Sequence, residues 1–324
     1  MEKKFAMRLK GMKTEGTLIL ILVLLIAVIS VASIVIHGQN RFIFGDNPYN
    51  LVRQISIIGI VAIGMTFVII GGGIDLSVGS MVGFSGMVVA LMLRDGNSIF
   101  ISILVSVVSC LLFGLLNGVL IFDGKLPPFI ATLGTMTIIR AIIMLLSGAR
   151  LVSGLPTGFT AFAQMRLLLL PSLFLLWVGV ILISIFITTR MRFGRNLYAL
   201  GSSQEVSRLC GINIRVNTYM IYMYCALMSS IAGILLSSRL ANGVPNAGQG
   251  YELDAIAASV VGGASFYGAE GTIIGTVLGT IIIATIKNGG NILGVDPFIL
   301  QILNGTLIIL AVLLDQMRKG RSVG

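Results

Sequence analysis

Residues 71–80 read GGGIDLSVGS and interrupt a chain that is otherwise strongly apolar. Three successive glycines remove side chains and break a helix, which frees backbone groups that protein or water must satisfy. Asp75 and Ser77 follow the break, and both can cap the helix that continues beyond it, because a helix start is its positive end. The stretch indicates either a broken helix that lines a permeation route or a tight turn between two helices.

The chain around this stretch has 324 residues, of which 56% are hydrophobic and 10% are charged. Soluble domains carry about 25% charged residues, so this composition, with a mean hydropathy of +1.03, predicts a polytopic membrane protein. The formal net charge is +10. Cytoplasmic loops of membrane proteins collect Lys and Arg, which explains this excess better than nucleic-acid binding does. Nucleic acid is not expected as a partner, because almost no soluble segment can carry a basic face.

Ten apolar stretches approach the roughly 20 residues that a helix needs to cross the bilayer core. Seven are continuous: Thr17–Ile36, Val52–Ile70, Ser98–Ile121, Phe129–Leu146, Leu167–Thr189, Asn217–Ser238 and Phe298–Leu314. Three are interrupted by glycine or other small residues: Leu76–Leu93, Leu253–Ala264 and Gly271–Ile286. We therefore expect an all-α fold with about ten transmembrane helices, forming a single domain over residues 1–324.

The distribution of basic residues predicts the orientation of these spans. If the N-terminus is inside, the inner segments hold 14 Lys and Arg residues and the outer segments hold 7, with Lys287 counted as outer. This bias predicts cytoplasmic termini, a cytoplasmic N-terminal tail over residues 1–16 and a cytoplasmic loop over residues 190–216. Arg140 lies inside a span, where a charge is costly. It is either functional or satisfied by snorkelling or an ion pair.

The two halves of the chain contain matching short motifs. The matches are Asn117-Gly118 with Asn288-Gly289, Pro128-Phe129-Ile130 with Pro297-Phe298-Ile299, and Asp75-Leu76-Ser77 with Glu252-Leu253-Asp254. Each pair lies five spans apart, so the two copies point in opposite directions. This pattern predicts an inverted repeat, which gives transporters related arrangements open to opposite sides. The alternative is chance combined with ordinary capping chemistry.

The loop over residues 190–216 has the signals of a short helix. Ser202 or Ser203 can cap its start, and Gly211 can end it. Val206 and Leu209 fall on one face at helical spacing. The helix is therefore either a surface on which another protein can push or a helix that rests on lipid headgroups.

The residues offer little material for catalysis. The chain has one histidine, His37, and three irregularly spaced cysteines, so no catalytic, metal or cofactor site is expected. The nearest match to a phosphate-binding loop begins at Gly118, but its spacing is wrong and Leu126 follows the lysine where Ser or Thr is needed. We therefore expect a chain that is not an enzyme.

Three motifs in order carry a resemblance to a known family: GGIDLSVGS at 72–80, RFGRN at 192–196, and YELDAIAA at 251–258 with VGG at 261–263. Over roughly Leu51 to Asp315 the chain resembles the permease subunit of ATP-binding-cassette importers for sugars, the ribose, xylose and galactoside group. The resemblance implies a ten-span permease that pairs with a second permease copy, identical or different. It also implies a cytoplasmic subunit that uses the ATP, an extracytoplasmic substrate-binding protein and a location in the bacterial cytoplasmic membrane.

The resemblance also implies that the helix in the 190–216 loop couples the permease to the ATPase. The expected coupling residues are Ser202, Ser203, Glu205, Val206, Arg208, Leu209 and Gly211. Repeat position and small residues predict a second set near the translocation path or the dimer axis: Gly72, Gly73, Asp75, Ser77, Gly79, Glu252 and Asp254. The chain departs from the family pattern at Ser203 and Val206-Ser207, where Asn and two alanines are usual, and at Ala269, where glycine often follows Gly268.

Two other functional classes compete with a sugar permease. An ion-coupled secondary transporter would fit the inverted repeat, but such carriers usually place ionisable groups inside their spans. In the sequence, Arg140 is the only such residue well inside a predicted span. An intramembrane enzyme would need a His–carboxylate pair or paired carboxylates within spans, and neither is present in the sequence.

Overall fold

The computed structural model describes residues 2–167 and 170–320; only the backbone is described for residues 2–14, 311, 314 and 317–320. Met1 and Arg321, which belong to the predicted cytoplasmic termini, lie outside the described residues, as do residues 168 and 169 of the predicted span Leu167–Thr189. The helices are α1 Glu2–His37, α2 Asn47–Ile70, α3 Val78–Arg94, α4 Ile99–Phe122, α5 Pro128–Ser147, α6 Thr157–Gln164, α7 Ser172–Arg190, α8 Arg192–Ser202, α9 Gln204–Leu209, α10 Ile214–Leu240, α11 Tyr251–Val261, α12 Ile273–Ile292 and α13 Pro297–Gly320. Strands β1 Arg166–Leu167 and β2 Leu170–Pro171 pair as an antiparallel hairpin.

The helical membrane fold is confirmed, because each of the ten predicted spans falls on one helix. Seven described helices are long and apolar enough to cross a membrane, namely α2, α4, α5, α7, α10, α12 and the Glu15–His37 part of α1. Helix α11 has only 11 residues and is ~16 Å long, about half of the hydrocarbon core. Helices α6 and α8 and the hairpin were not predicted from the sequence. Because of the hairpin, the helix of the predicted span Leu167–Thr189 begins later than expected, at Ser172.

Helices α2 and α10 form the centre of the molecule. Residues 55–70 of α2 are buried on every side, as expected for a helix that is apolar all round. Helix α10 runs antiparallel to it, and the absence of a side chain at Gly64 lets α2 approach the backbone of Cys225 and the Cβ atom of Met228. The other long helices pack around this pair, and α1, α4, α5 and α7 present exposed apolar side chains outward.

Three contacts show which helix ends share a face of the molecule. His37 at the end of α1 bonds to the Ile292 carbonyl at the end of α12. Ser265, in the loop before α12, donates to Asp315 near the end of α13. Gly201 at the end of α8 packs against the end of α2 and the loop after α11. Helix α1 therefore begins, and α13 ends, at the face that carries α8 and α9, which we call the α8–α9 face.

Candidate functional site

Two interrupted segments enter the molecule from opposite faces and meet inside it. Residues 71–77 return from the α8–α9 face before α3 begins, and residues 241–250 return from the opposite face before α11 begins. The two helix starts touch: a Cβ atom on Gly79 would overlap the carboxylate of Glu252 and the carbonyl of Gly248. Helices α3 and α11, which we call the half-helices, start side by side inside the molecule and run to opposite faces, as an inverted repeat predicts.

Asp75, at the first half-helix start, is held by neutral partners. It is completely buried, and its Oδ1 accepts hydrogen bonds from the Ser77 backbone N–H (2.9 Å) and hydroxyl (2.5 Å). Ser77 Oγ in turn accepts from Asn117 Nδ2 of α4 at 2.9 Å. The predicted side-chain cap from Ser77 to α3 is therefore absent, because its hydroxyl is committed to Asp75. Among the described residues Asp75 makes no ion pair.

Asp254, at the second half-helix start, is held by a cation. It is 2% exposed, and its two carboxylate oxygens accept from Lys287 Nζ of α12 at 2.5 and 2.6 Å. Asn304 of α13 donates to the same carboxylate at 2.7 Å. The assignment of Lys287 to an outer segment was wrong, because α12 continues to Ile292. The expectation that Arg140 is the only ionisable group well inside a span was wrong for the same reason.

Arg140 of α5 also acts at the second half-helix start. Its Nη1 donates to the carbonyl of Ala247 at 2.8 Å, and its charge is attracted by Glu252. Glu252 additionally accepts the Gly250 N–H at 3.1 Å. The guanidinium is thus bonded to the backbone of the interrupted segment rather than snorkelling to a surface, and its attraction to Glu252 acts without a direct ion pair between these two described side chains.

The supporting helices repeat as well as the half-helices do. In the first half, Asn117 near the end of α4 holds Ser77, and Thr132 in the first turn of α5 accepts from the Leu76 N–H at 3.1 Å. In the second half, Lys287 near the end of α12 and Asn304 in α13 hold Asp254. The two helices that follow each half-helix therefore hold its start, but from different positions, because the motif match pairs Asn117 with Asn288 rather than with Lys287.

A cavity of about 460 Å³ opens at the α8–α9 face below the first interrupted segment. Its lining includes Gly71, Gly72, Gly73, Leu200, Gln204 and Tyr222. Of the residues predicted for the translocation path or dimer axis, Gly72 and Gly73 reach this cavity. Asp75, Ser77, Gly79 and Asp254 are buried at the half-helix starts, and Glu252 is half-buried there.

The 190–216 loop contains two helices instead of the single one predicted. The RFGRN motif begins α8, whose Leu197 and Leu200 are buried against the core. Tyr198 donates to the Gly271 carbonyl at 2.9 Å. Burial raises the pKa of Tyr198, which further favours the neutral phenol that donates this bond. Gly201, at the end of α8, has no space for a side chain, because a Cβ atom would overlap the carbonyl of Ile70.

Helix α9 is the short helix expected from the capping signals. Ser203 is its N-cap, and the Ser203 hydroxyl accepts the Val206 N–H at 3.3 Å; Ser202 instead ends α8. Gly211 follows with φ of 77°, in the left-handed region that favours glycine. Val206 and Leu209 are 59% and 88% exposed. Glu205 and Arg208 line a cavity of about 370 Å³ and form no ion pair with each other.

The turn after α11 forms even though alanine replaces the usual glycine. Ala269 adopts φ of 59°, and its N–H donates to the Ile70 carbonyl at 2.8 Å. The Ser265 N–H donates to the Glu270 carbonyl at 3.1 Å and closes the turn. The departure from the family pattern therefore places a strained residue in an intact turn.

The fold and the site define a membrane transport subunit: a helical membrane protein in which two oppositely directed half-helices meet inside. Residues 47–312 match the family described as the permease component of the branched-chain amino acid transport system, and the chain belongs to this family. The family resemblance stated from the three motifs is confirmed by this match together with the sugar import permeases that are similar to the chain.

Several relatives are similar over most of the chain. The ribose import permease protein RbsC of Bacillus subtilis is 40% identical, covering 84% of this chain and 85% of the relative. RbsC of Escherichia coli K12 is 36% identical, covering 91% and 93%. The galactose/methyl galactoside import permease protein MglC of Escherichia coli K12 is 35% identical and covers 95% of each chain. No solved structure matches the chain.

Proposed function

We propose that this chain forms the translocation path of an ATP-driven importer for a sugar or sugar-like solute. The observation that carries the proposal is the near full-length similarity to permeases named for ribose and for galactose or methyl galactoside import. The family description names branched-chain amino acids, but the similar relatives are named for sugars. This similarity favours the ATP-driven importer over an ion-coupled secondary transporter.

The importer requires chains other than this one. A cytoplasmic subunit hydrolyses the ATP, an extracytoplasmic protein delivers the solute, and a second permease copy completes the path. The permease lies in the bacterial cytoplasmic membrane, and both of its termini are in the cytoplasm. The exposed Val206 and Leu209 lie on one face of α9 and support docking of the ATPase at the α8–α9 face, because a shared exposed apolar patch is typical of a protein contact.

The half-helix starts are the proposed centre of the path. Arg140 and Glu252 are only half-buried, although they lie at the level where the two half-helices begin. A partly exposed charge at this depth is costly against lipid and normally faces protein or water. The surface around these two residues therefore faces the second permease copy or the solute. The cavity at Gly72 and Gly73 is the proposed opening toward the cytoplasm.

Reconstitution tests the function directly. The permease, its ATPase and its binding protein are placed in proteoliposomes, and uptake of ribose, methyl galactoside and leucine is measured with and without ATP. We expect ATP-dependent uptake of a sugar and no uptake of leucine. Uptake that needs an ion gradient and no ATP would establish the secondary transporter instead, and ATP-dependent uptake of leucine alone would overturn the sugar assignment.

Cysteine labelling tests the topology. Ala247 is a poor probe for the face opposite α8–α9, because it packs against Gly83 and Arg140 inside the molecule. Asn97, which follows α3, is exposed and suits the purpose. With Cys210 changed to Ser, a Ser203→Cys variant should be labelled only from the cytoplasm and an Asn97→Cys variant only from outside. Labelling of both from one side contradicts the proposed orientation.

A further inference from the structure

Three side chains join the end of α4 to the first turns of α10 at the α8–α9 face. Asp123 Oδ1 lies 3.1 Å from Arg215 Nε, and the same Nε donates to the Tyr219 hydroxyl at 2.9 Å. That hydroxyl is also hydrogen bonded to the Asp123 carboxylate. Each member thus contacts both others. We call this set the α4–α10 clamp.

The clamp lies directly after α9 in the chain. The Ile212 N–H donates to the Ser207 carbonyl of α9 at 3.0 Å. Asn213 then caps α10, because its Oδ1 accepts the Val216 N–H at 3.1 Å. No flexible linker separates α9 from Arg215, so a displacement of α9 reaches the clamp within a few residues.

The other end of the clamp is tied to the first interrupted segment. Asp123 follows the last turn of α4, and Asn117 of the same helix donates to Ser77 Oγ at 2.9 Å. Asn117 and Asp123 are separated by fewer than two turns of helix, which is a short and rigid connection. Gly118 lets α4 approach the backbone of Tyr219 closely, so α4 and α10 are packed together where the clamp forms.

We infer that Asp123, Arg215 and Tyr219 are positioning residues that transmit the movement of α9 through α4 to Ser77 and Asp75. The inference rests on the proposed function, in which the ATPase docks on α9. The structure supplies the contiguous route, and the clamp is its only link that depends on an ion pair. Asp123 and Arg215 are 33% and 59% exposed, so the pair contributes little to stability. Its loss should therefore affect coupling more than folding.

The test measures how many ATP molecules are hydrolysed per sugar transported by the complete complex in proteoliposomes. The Asp123→Asn variant should raise this ratio about two- to five-fold, the range that an exposed ion pair is worth. The double variant Asp123→Arg with Arg215→Asp, which reverses the pair, should return the ratio toward wild type. Asp95→Asn is the matched control, because Asp95 forms an exposed ion pair with Arg94 at the opposite face and should leave the ratio unchanged.

The outcomes separate this inference from the proposed function. If the wild-type complex shows no ATP-dependent sugar uptake, the proposed function fails and the inference fails with it. If the wild type transports sugar and Asp123→Asn keeps its ratio, the inference alone is overturned. If Asp123→Asn assembles poorly, Tyr219→Phe decides, because it removes one hydroxyl and keeps the ion pair: a raised ratio supports the clamp, and an unchanged ratio refutes it.

Discussion

The two half-helix starts lie side by side inside the molecule, but they differ in chemistry. At the first, Asp75 is buried with hydroxyl and amide partners. At the second, Asp254 is buried against Lys287. In both halves the two following helices hold the start, so the repeat preserves which helices support a start and leaves open which side chains do so.

The number of carboxylates explains the difference. The first start carries one acid, and a helix start together with hydrogen-bond donors can stabilise one carboxylate. The first turn of α11 carries two, Glu252 and Asp254. Two carboxylates this close repel each other in a medium of low dielectric, and nearby cations offset that repulsion. Lys287 forms a direct ion pair with Asp254, and Arg140 attracts Glu252 without a direct ion pair between these two described residues.

Separating the two starts should have the largest effect. In Gly79→Leu the side chain would overlap Glu252 and the Gly248 carbonyl, and a backbone neighbour cannot move aside cheaply. We expect a cost above the roughly 1–3 kcal/mol of ordinary overpacking, with loss of the folded protein and of transport. Thermal unfolding in detergent and sugar uptake measure both. Gly134→Leu is the control, because nothing lies within 4 Å of the Cβ position at Gly134; equal tolerance of both variants would contradict the contact.

The second prediction compares the two acids directly. Asp254→Asn leaves Lys287 without its carboxylate and should destabilise the protein by about 3 kcal/mol. Asp75→Asn leaves no cation unpaired and should cost only about 1–2 kcal/mol. Adding Lys287→Met to Asp254→Asn should recover much of the loss. Denaturation midpoints of the four proteins provide the measurement, and equal losses at both acids would remove the distinction between the starts.

Asn117 allows a smaller test on the neutral side. Asn117→Ala removes the donor to Ser77 Oγ and should cost about 1 kcal/mol. The Ser77 hydroxyl still donates to Asp75 in this variant, so the interrupted segment should keep its shape. Hydrogen exchange at residues 71–77 should show modestly faster opening. Complete loss of protection there would mean that Asn117 stabilises the interrupted segment by far more than one hydrogen bond.

The smallest expected effect lies in the turn beyond α11. Ala269→Gly relieves a positive φ and should stabilise the protein by up to about 1 kcal/mol. Ala131→Gly, in the first turn of α5, is the opposite control and should destabilise by a similar amount. A fall in unfolding temperature for Ala269→Gly would show that the left-handed conformation is not maintained in the membrane.

The sequence was sufficient for the spans and for the positions of both interruptions, because apolar length, glycine runs and repeated motifs are local signals. It could not supply the partner of Asp254. Lys287 lies at the end of an apolar stretch, where it reads as a loop residue, and only the packing of α12 against α11 turns it inward. Helix α8 was not predicted because RFGRN has the composition of a polar loop. Only the packing of Leu197 and Leu200 against the core shows that this segment is helical. The roles of the coupling and path residues remain predictions.

The position of Gly201 limits how the two halves can move. Its backbone touches Ile70, the last residue before the first interruption, and the Gly268–Ala269 turn that follows the second half-helix. Because Gly201 has no side chain, no flexible atoms separate the backbone of α8 from these two places. We therefore expect a displacement of α8 to move the end of α2 and the turn after α11 together. Such a coupled movement would disfavour an intermediate in which only one of the two repeats has changed its position.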